Sequence, residues 1–309
     1  MHRRDLLVGT AAATVMPGLA AAQTAPAPQF HRMMVGAVPV TILHDGFNTR
    51  DVAQNFIPNV TPEQVRAAMQ AAGAQSTTIQ NPYNLTLVQT RAGLVLIDTG
   101  FGQGAPAGLG QHRAAMQAAG IDPARIDIVL LTHFHPDHIG GLIAADGSTA
   151  FPNAVVKVPE REWAFWTDAG EESRVAEGRR PNFALVRNRF APYAQKLERV
   201  APGGEVAPGI TAIATTGHSP GHVSFLVADG TAQLLVIGDA ITTPALFMAN
   251  PEWFPIFDMD PAQAVATRKA LLERAATERL PVIGYHFPFP ATGRVERAGT
   301  GYRLVAGNT

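Results

Sequence analysis

The chain has 309 residues, of which 46% are hydrophobic, and a formal net charge of −1. That length and apolar share support one large domain or two small ones, and the near-neutral charge gives no electrostatic case for nucleic acid or an anionic membrane surface. The absence of cysteine excludes disulfides, thiolate nucleophiles and sulfur-ligated zinc.

Residues 1–22 read as a cleavable targeting segment. His2-Arg3-Arg4 is a basic start, residues 6–19 form an apolar run of about 14 residues, too short to span a bilayer, and Ala20-Ala21-Ala22 supplies an A-x-A cleavage site. The paired arginines before Asp5-Leu6-Leu7 resemble a twin-arginine signal, which implies a periplasmic or secreted protein, free of the membrane once the signal is removed. Residues 23–31, with Pro26 and Pro28, read as a flexible leader, and 32–309 as a single domain.

Within that domain 33–43 is β-like. Thr61-Pro62-Glu63-Gln64 starts a helix, with Thr as N-cap, Pro next and Gln closing the box, and Gly73 stops it. Residues 85–90 and 94–97 form a hairpin around Arg91-Ala92-Gly93. A helix over 109–119, a strand over 127–131 and a strand over 155–158 follow. Residues 160–200 read as a helical insert with an aromatic cluster, Trp163, Phe165, Trp166, Phe183, Phe190 and Tyr193. Strands at 210–215, 223–227 and 234–237, a helix at 261–276, a strand at 281–284 and a β-like tail at 302–305 complete the chain. Strands and helices thus alternate in two blocks, 32–158 and 205–306, which points to an α/β, four-layer αββα sandwich with the insert lying over one edge.

The chemistry concentrates in Thr132-His133-Phe134-His135-Pro136-Asp137-His138-Ile139-Gly140-Gly141, where three histidines and an aspartate fall within six residues after the apolar run 128–131. The glycine pair places these groups on a strand-to-loop switch. Neutral imidazoles and carboxylates without sulfur suit zinc, manganese, iron or cobalt. Three more clusters follow strands: Gly217-His218-Ser219-Pro220-Gly221-His222, Gly238-Asp239 and Tyr285-His286. Strand C-termini are where α/β sites usually sit.

The H-x-H-x-D-H pattern at 133–138 resembles the signature of the metallo-β-lactamase-fold hydrolases, and the other three clusters occur in the order that resemblance requires. The resemblance implies two divalent metal ions, zinc first, with manganese, iron or cobalt as alternatives. It assigns one to His133, His135 and His218 and the other to Asp137, His138 and His286, with Asp239 bridging both. His218 is favoured over His222 because it lies 21 residues before Asp239, close to the family's interval, and sits between glycines, whereas His222 opens a strand. His222 is then expected behind the ligands as a supporting or packing histidine, with a hydrogen bond within its loop as the plainer alternative. Asp98, in Asp98-Thr99-Gly100, resembles the family's aspartate that holds the ligating imidazoles in register. The implied mechanism is hydrolysis by a metal-bridging hydroxide, with Asp137 relaying a proton and Asp239 holding the metal pair.

A closer resemblance, over roughly 32–307, is to the methyl parathion hydrolase-like branch, which includes aryl-ester and lactone hydrolases. It rests on the run 215–222, Gly238-Asp239, Arg268-Lys269 and the stretches Phe287-Pro288-Phe289-Pro290 and Gly301-Tyr302-Arg303. It implies small neutral substrates (aryl esters, lactones or organophosphate triesters), no nucleic-acid partner and a homodimer. Trp163, Trp166 and Phe183 are expected to line an apolar pocket for the leaving group. Quorum-quenching lactonases of this fold usually carry a tyrosine three residues after the bridging aspartate, where this chain has Thr242. The alternatives are a thioester hydrolase of glyoxalase II type and a non-catalytic metal-binding relative.

Two other motifs carry less weight. In the G-x-S-x-G match at 217–221 the residue after the serine is Pro220, which lacks the N–H an oxyanion hole needs. The G-x-G-x-x-A match at 100–105 is followed by Pro106 and Gly108 rather than by a helix. Of the remaining residues, His112 is expected on a solvated helix face and His44 at a turn, and Arg174, Arg179, Arg180, Arg187 and Arg189 on a solvated face of the insert.

Overall fold

The computed structural model describes residues 29–306 apart from Gln103. The targeting segment at 1–22 and the leader up to residue 28 lie outside the described residues. The leader's last two positions do not belong to it: the first strand already begins at Phe30.

Fourteen strands form two seven-stranded sheets among the described residues. The first holds β1 (Phe30–Val35), β2 (Val38–Asp51), β3 (Thr78–Thr90), β4 (Gly93–Ile97), β5 (Ile126–Leu130), β6 (Val155–Pro159) and β7 (Leu197–Val200), in chain order. The second holds β8 (Glu205–Ala207), β9 (Ile210–Ala214), β10 (Val223–Asp229), β11 (Ala232–Val236), β12 (Pro281–Ile283), β13 (Thr292–Ala298) and β14 (Gly301–Val305). The first sheet is antiparallel from β1 to β4 and parallel from β4 to β7. Only β11 and β12 run parallel in the second. The helices are α1 (Pro62–Ala71), α2 (His112–Ala118), α3 (Pro136–Ile139), α4 (Glu160–Thr167), α5 (Ala169–Arg174), α6 (Arg180–Phe190), α7 (Pro244–Phe247) and α8 (Pro261–Thr277).

The two sheets pack face to face. Val40, Ile42, Val88, Val95 and Ile97 of the first meet Ile210, Phe225, Leu235 and Ile283 of the second in one fully buried cluster. A second cluster lies on the outer face of the first sheet, where Leu85, Leu96, Val129 and Val156 pack against Met116 of α2 and Trp166, Phe183 and Phe190 of the insert. Leu271 and Leu272 of α8 pack on the second sheet's side. The result is the four-layer αββα sandwich. Among the described residues no helix is long and apolar enough to cross a membrane.

Several expectations shift by tertiary context. The β-like run 33–43 is two strands, because Gly36 at φ +60° turns the chain between Val35 and Val38. The insert ends at about 196, since β7 pairs in parallel with β6 through Val156↔Leu197 and completes the first sheet. The segment after β5 is not purely loop: Pro136, which suits a first helical position, opens the short α3 that carries Asp137 and His138. The capping box at Thr61–Gln64 forms as expected, with Thr61 Oγ1 accepting from Gln64 N and Gln64 Oε1 from Thr61 N.

Candidate metal centre

Every cluster singled out above sits at the C-terminal end of a strand on one edge of the sandwich. His133 and His135 follow β5 and lead into α3 with Asp137 and His138. His218 lies between β9 and β10, Asp239 follows β11, and His286 follows β12. Two groups able to hold a metal ion result: His133, His135, His218 and Asp239, and Asp137, His138, His286 and Asp239. In each, the ligand atoms lie within 4.8 Å of one another, and Asp239 is common to both.

The far nitrogen of almost every imidazole is tied down, which turns its near lone pair inward. His138 Nδ1 donates to Asp98 Oδ2 at 2.9 Å, His218 Nδ1 to Asp258 Oδ1 at 2.9 Å, and His286 Nδ1 to the Pro82 carbonyl at 2.9 Å. Thr132 donates its hydroxyl to Asp98 and so accepts from His133 Nδ1 at 3.1 Å. Asp98 also accepts from Thr132 N at 2.9 Å, and it reaches these partners from a left-handed backbone, φ +61°. Such a conformation in a non-glycine residue is retained where surrounding structure dictates it. Asn84 of β3 fastens the other edge. Its amide donates to the Tyr285 and Phe287 carbonyls, both at 2.9 Å, on either side of His286.

The groups fit a pair of divalent cations on the donor chemistry alone. With their other nitrogens committed, His133 Nε2 and His218 Nε2 both present lone pairs to His135 Nδ1, at 2.9 and 3.0 Å, where one proton at most could serve only one of them. His138 Nε2 and Asp239 Oδ1 are buried without any hydrogen-bond partner, 3.4 Å apart. Burial and the neighbouring imidazoles His138 and His135 push His133 well below its ordinary range, and burial with His218 pushes His135 down to about 3, so both are neutral ligands at working pH. On the other side burial works against protonation of His286, yet the carboxylates of Asp239 and Asp137 raise it to about 9. A divalent cation replaces a proton held in that way. Removing divalent metal with a chelator is expected to lower the melting temperature by roughly 5–10 °C, since a cation at about a hundredfold its Kd adds about 2.7 kcal/mol. Scanning calorimetry with and without returned zinc checks this, and an unchanged transition counts against occupancy.

His222 is not available as a ligand. Its Nε2 accepts from the Asp239 backbone N–H at 3.0 Å and its Nδ1 faces Thr215 Oγ1 at 2.8 Å. It aims the Asp239 backbone instead. Ser219, the serine of the G-x-S-x-G match, is buried and donates its hydroxyl to Glu162.

The groups open onto a cavity of about 490 Å³ lined by His135, Asp137, His218, Asp239 and His286, together with Arg50, Phe56, Tyr83, Phe101, Arg179 and Phe257. Trp163, Trp166 and Phe183, expected in its wall, are not there. Trp166 and Phe183 are fully buried against each other, with ring centroids 4.9 Å apart, in the core under the insert. Trp163 packs on Phe190 and under Arg199. Their indole and phenyl area is claimed by the sheet face, so the wall comes from β2, β3 and the 255–257 segment. Thr242 does line the cavity, as does Tyr83, whose ring lies 5.0 Å from that of His286.

Three supporting groups had no sequence signal. Asp258 accepts from both His218 and the buried Arg268, 40 and 10 residues away in sequence. Glu162 accepts from Gly221 N at 2.8 Å and Trp166 Nε1 at 2.5 Å and anchors the His218 loop to α4. His112, expected on a solvated face, is buried and bonded to Asp45 Oδ1 at 2.7 Å. The bulge between His44 and Gly46 turns Asp45 towards α2, and a Cβ at Gly46 would meet the Gly108 carbonyl. His44 sits in β2, bonded to Asn84, rather than in a turn.

The metallo-beta-lactamase superfamily profile matches residues 79–286, more than half of the chain. The uncharacterized protein YobT of Bacillus subtilis (strain 168) is 31% identical over 160 residues, 52% of this chain and 62% of that protein. The chain thus spans about three fifths of that relative. N-acyl homoserine lactonase AiiA of Bacillus thuringiensis subsp. kurstaki is 25% identical over 217 residues, 64% of this chain and 77% of its own. Among solved structures, AidC, a dizinc quorum-quenching lactonase in complex with the product N-hexnoyl-L-homoserine, shares the fold at a TM-score of 0.86 and 24% identity, covering 92% of this chain and 99% of that one.

Proposed function

The chain belongs to the metallo-beta-lactamase superfamily, and from that premise we propose that it is a metal-dependent hydrolase that opens lactones and cleaves activated esters at a two-metal centre. Export by its twin-arginine-type segment is part of the same reading. The observation that carries it is the sharing of Asp239 by two ligand groups on the floor of one open cavity. Lactones come first because N-acyl homoserine lactonase AiiA is among the relatives it resembles in sequence. Organophosphate triesters form the second class, after the sequence resemblance.

Two divalent cations there supply an acidified water and an electrophile for the carbonyl oxygen. His133, His135 and His218 would hold one cation and Asp137, His138 and His286 the other, with Asp239 common to both. Asp137, whose side chain is 16% exposed and whose Oδ2 lies 3.4 Å from His286 Nε2, is the carboxylate that meets the substrate. It is placed to take the proton released as water adds to the carbonyl carbon and return it to the leaving oxygen as the C–O bond breaks. Tyr285 donates its hydroxyl to the Asp137 carbonyl at 2.5 Å and holds that residue in place. No serine or cysteine nucleophile is needed.

A substrate panel on metal-reconstituted protein tests the reading: p-nitrophenyl esters, dihydrocoumarin, γ-lactones, paraoxon-type triesters and a cephalosporin. Turnover of lactones and aryl esters is expected. Turnover of the cephalosporin alone sinks it.

A further inference from the structure

One wall of the cavity carries charge that the hydrolytic step does not use. Arg50 is the last residue but one of β2, and Arg179 immediately precedes α6; both line the cavity that holds Asp137, Asp239 and His286. The Arg50 guanidinium carbon lies 5.1 Å from the centroid of the Phe56 ring and 5.0 Å from that of Phe257, and the two centroids are 6.1 Å apart, so both rings lie to one side of its N–H fork. Aromatic contact of this kind takes up none of a guanidinium's N–H donors. Among the described residues that fork has no acceptor and no carboxylate partner. Arg179 has only the Ile256 carbonyl, at 3.5 Å. Two other arginines of the insert are paired, Arg174 with Glu171 and Arg187 with Glu172. Arg50 and Arg179 therefore converge from distant parts of the chain on the 255–257 segment in the lining of the same cavity, each half-buried with donors to spare. Tyr83, whose ring lies 5.0 Å from that of His286, lines the same cavity as Arg50 and Asp137. A half-exposed fork of this kind is completed by a planar oxyanion, each charge-assisted bond being about twice as strong as a neutral one.

We infer that Arg50 and Arg179 form a subsite for an oxyanion, a carboxylate or phosphate, that the substrate carries away from its scissile bond. The preferred substrate is then an acidic lactone or ester, not the neutral one that the sequence resemblance implies. This deepens the hydrolytic reading above and rests on it for the word substrate, but the subsite itself can be tested by binding alone.

The test uses the full-length, metal-loaded protein and straight-chain dicarboxylates from succinate to suberate, each compared by titration calorimetry with the monocarboxylate of equal length. One carboxylate occupies the reacting centre in both, so the difference reports the far end. At least one dicarboxylate is expected to bind about tenfold or more tighter than its partner. R50Q and R179Q are each expected to bring the gap to within about threefold, and R50K, which keeps the charge but not the fork, to an intermediate value. R179Q removes no aromatic stacking and keeps the test decisive if R50Q loosens the cavity lining. An ω-phosphonate analogue of the best dicarboxylate tells which oxyanion is preferred. Turnover of p-nitrophenyl hexanoate against p-nitrophenyl hydrogen adipate separates the two readings. If the neutral ester turns over but no dicarboxylate preference exists, or both glutamine variants retain it, the subsite is wrong and hydrolysis stands. If neither ester turns over while an arginine-dependent preference persists, the subsite stands and the hydrolytic reading falls.

Discussion

Replacing Asp239 by asparagine is expected to lower kcat/KM on every substrate by about a thousandfold or more, about 4 kcal/mol of transition-state stabilisation, and to bring the metal content below two per chain. Asp239 is the one residue common to both ligand groups. Its Oδ2 lies 3.1 Å from His286 Nε2 and 3.3 Å from His218 Nε2, and its Oδ1 3.4 Å from His138 Nε2. Although burial opposes ionisation, His286 and His138 beside it hold the carboxyl well below the usual carboxylate range, so it is anionic throughout the working pH range. Asparagine keeps the volume and the backbone bond to His222, so folding is preserved and the loss reports the charge. Metal analysis by plasma emission and steady-state kinetics on one preparation check it; full turnover in the variant sinks the shared-carboxylate mechanism.

The second large effect is at a residue that touches no substrate. Asp258→Ala is expected to cost about 3–5 kcal/mol of stability, roughly 10 °C in melting temperature, and to weaken metal binding by about ten- to a hundredfold. Asp258 accepts from Arg268 Nη2 at 3.0 Å and from His218 Nδ1 at 2.9 Å, and all three are buried. Its removal strands a guanidinium that is 1% exposed and frees His218 to rotate or change tautomer. The two losses separate in a double variant. Asp258→Ala with Arg268→Met removes the unpaired charge and should recover most of the stability, while metal affinity stays low because His218 still lacks its acceptor. Thermal unfolding and competition with a chromogenic chelator read the two quantities independently. If affinity recovers together with stability, Asp258 acts only through the fold.

How much of this was legible in the sequence follows from how local each signal is. The tract 133–138 packs four metal-ligating groups into six residues, and such density needs no partner to be read. The capping box at Thr61–Gln64 and the turn at Gly93 are equally local. His112 failed for the opposite reason. Its helix pattern suits a solvated face, and only a bulge at residues 44–46, in a strand far away in sequence, brings Asp45 against it. Strand β7 escaped because a four-residue edge strand is recognisable only by the ladder it completes. The aromatic insert misled because hydrophobic rings signal burial without saying against what. Trp166 and Phe183 went to the core, and the cavity wall was built from Phe56, Phe101 and Phe257.

What the sequence determined by itself is therefore the clusters of histidine and aspartate at strand ends and the alternating layers that carry them, which depend on residue type and on short-range periodicity; their division between two ions is what the family resemblance implies. What only the tertiary structure decided is everything that turns on direction: that His222 faces the Asp239 backbone while His218 faces the cavity, that Asp258 and Arg268 brace His218, and that Arg50 and Arg179 line one cavity. Those relations join residues tens to more than a hundred positions apart. They exist because two sheets close face to face around a single core and bring the ends of their strands to one edge.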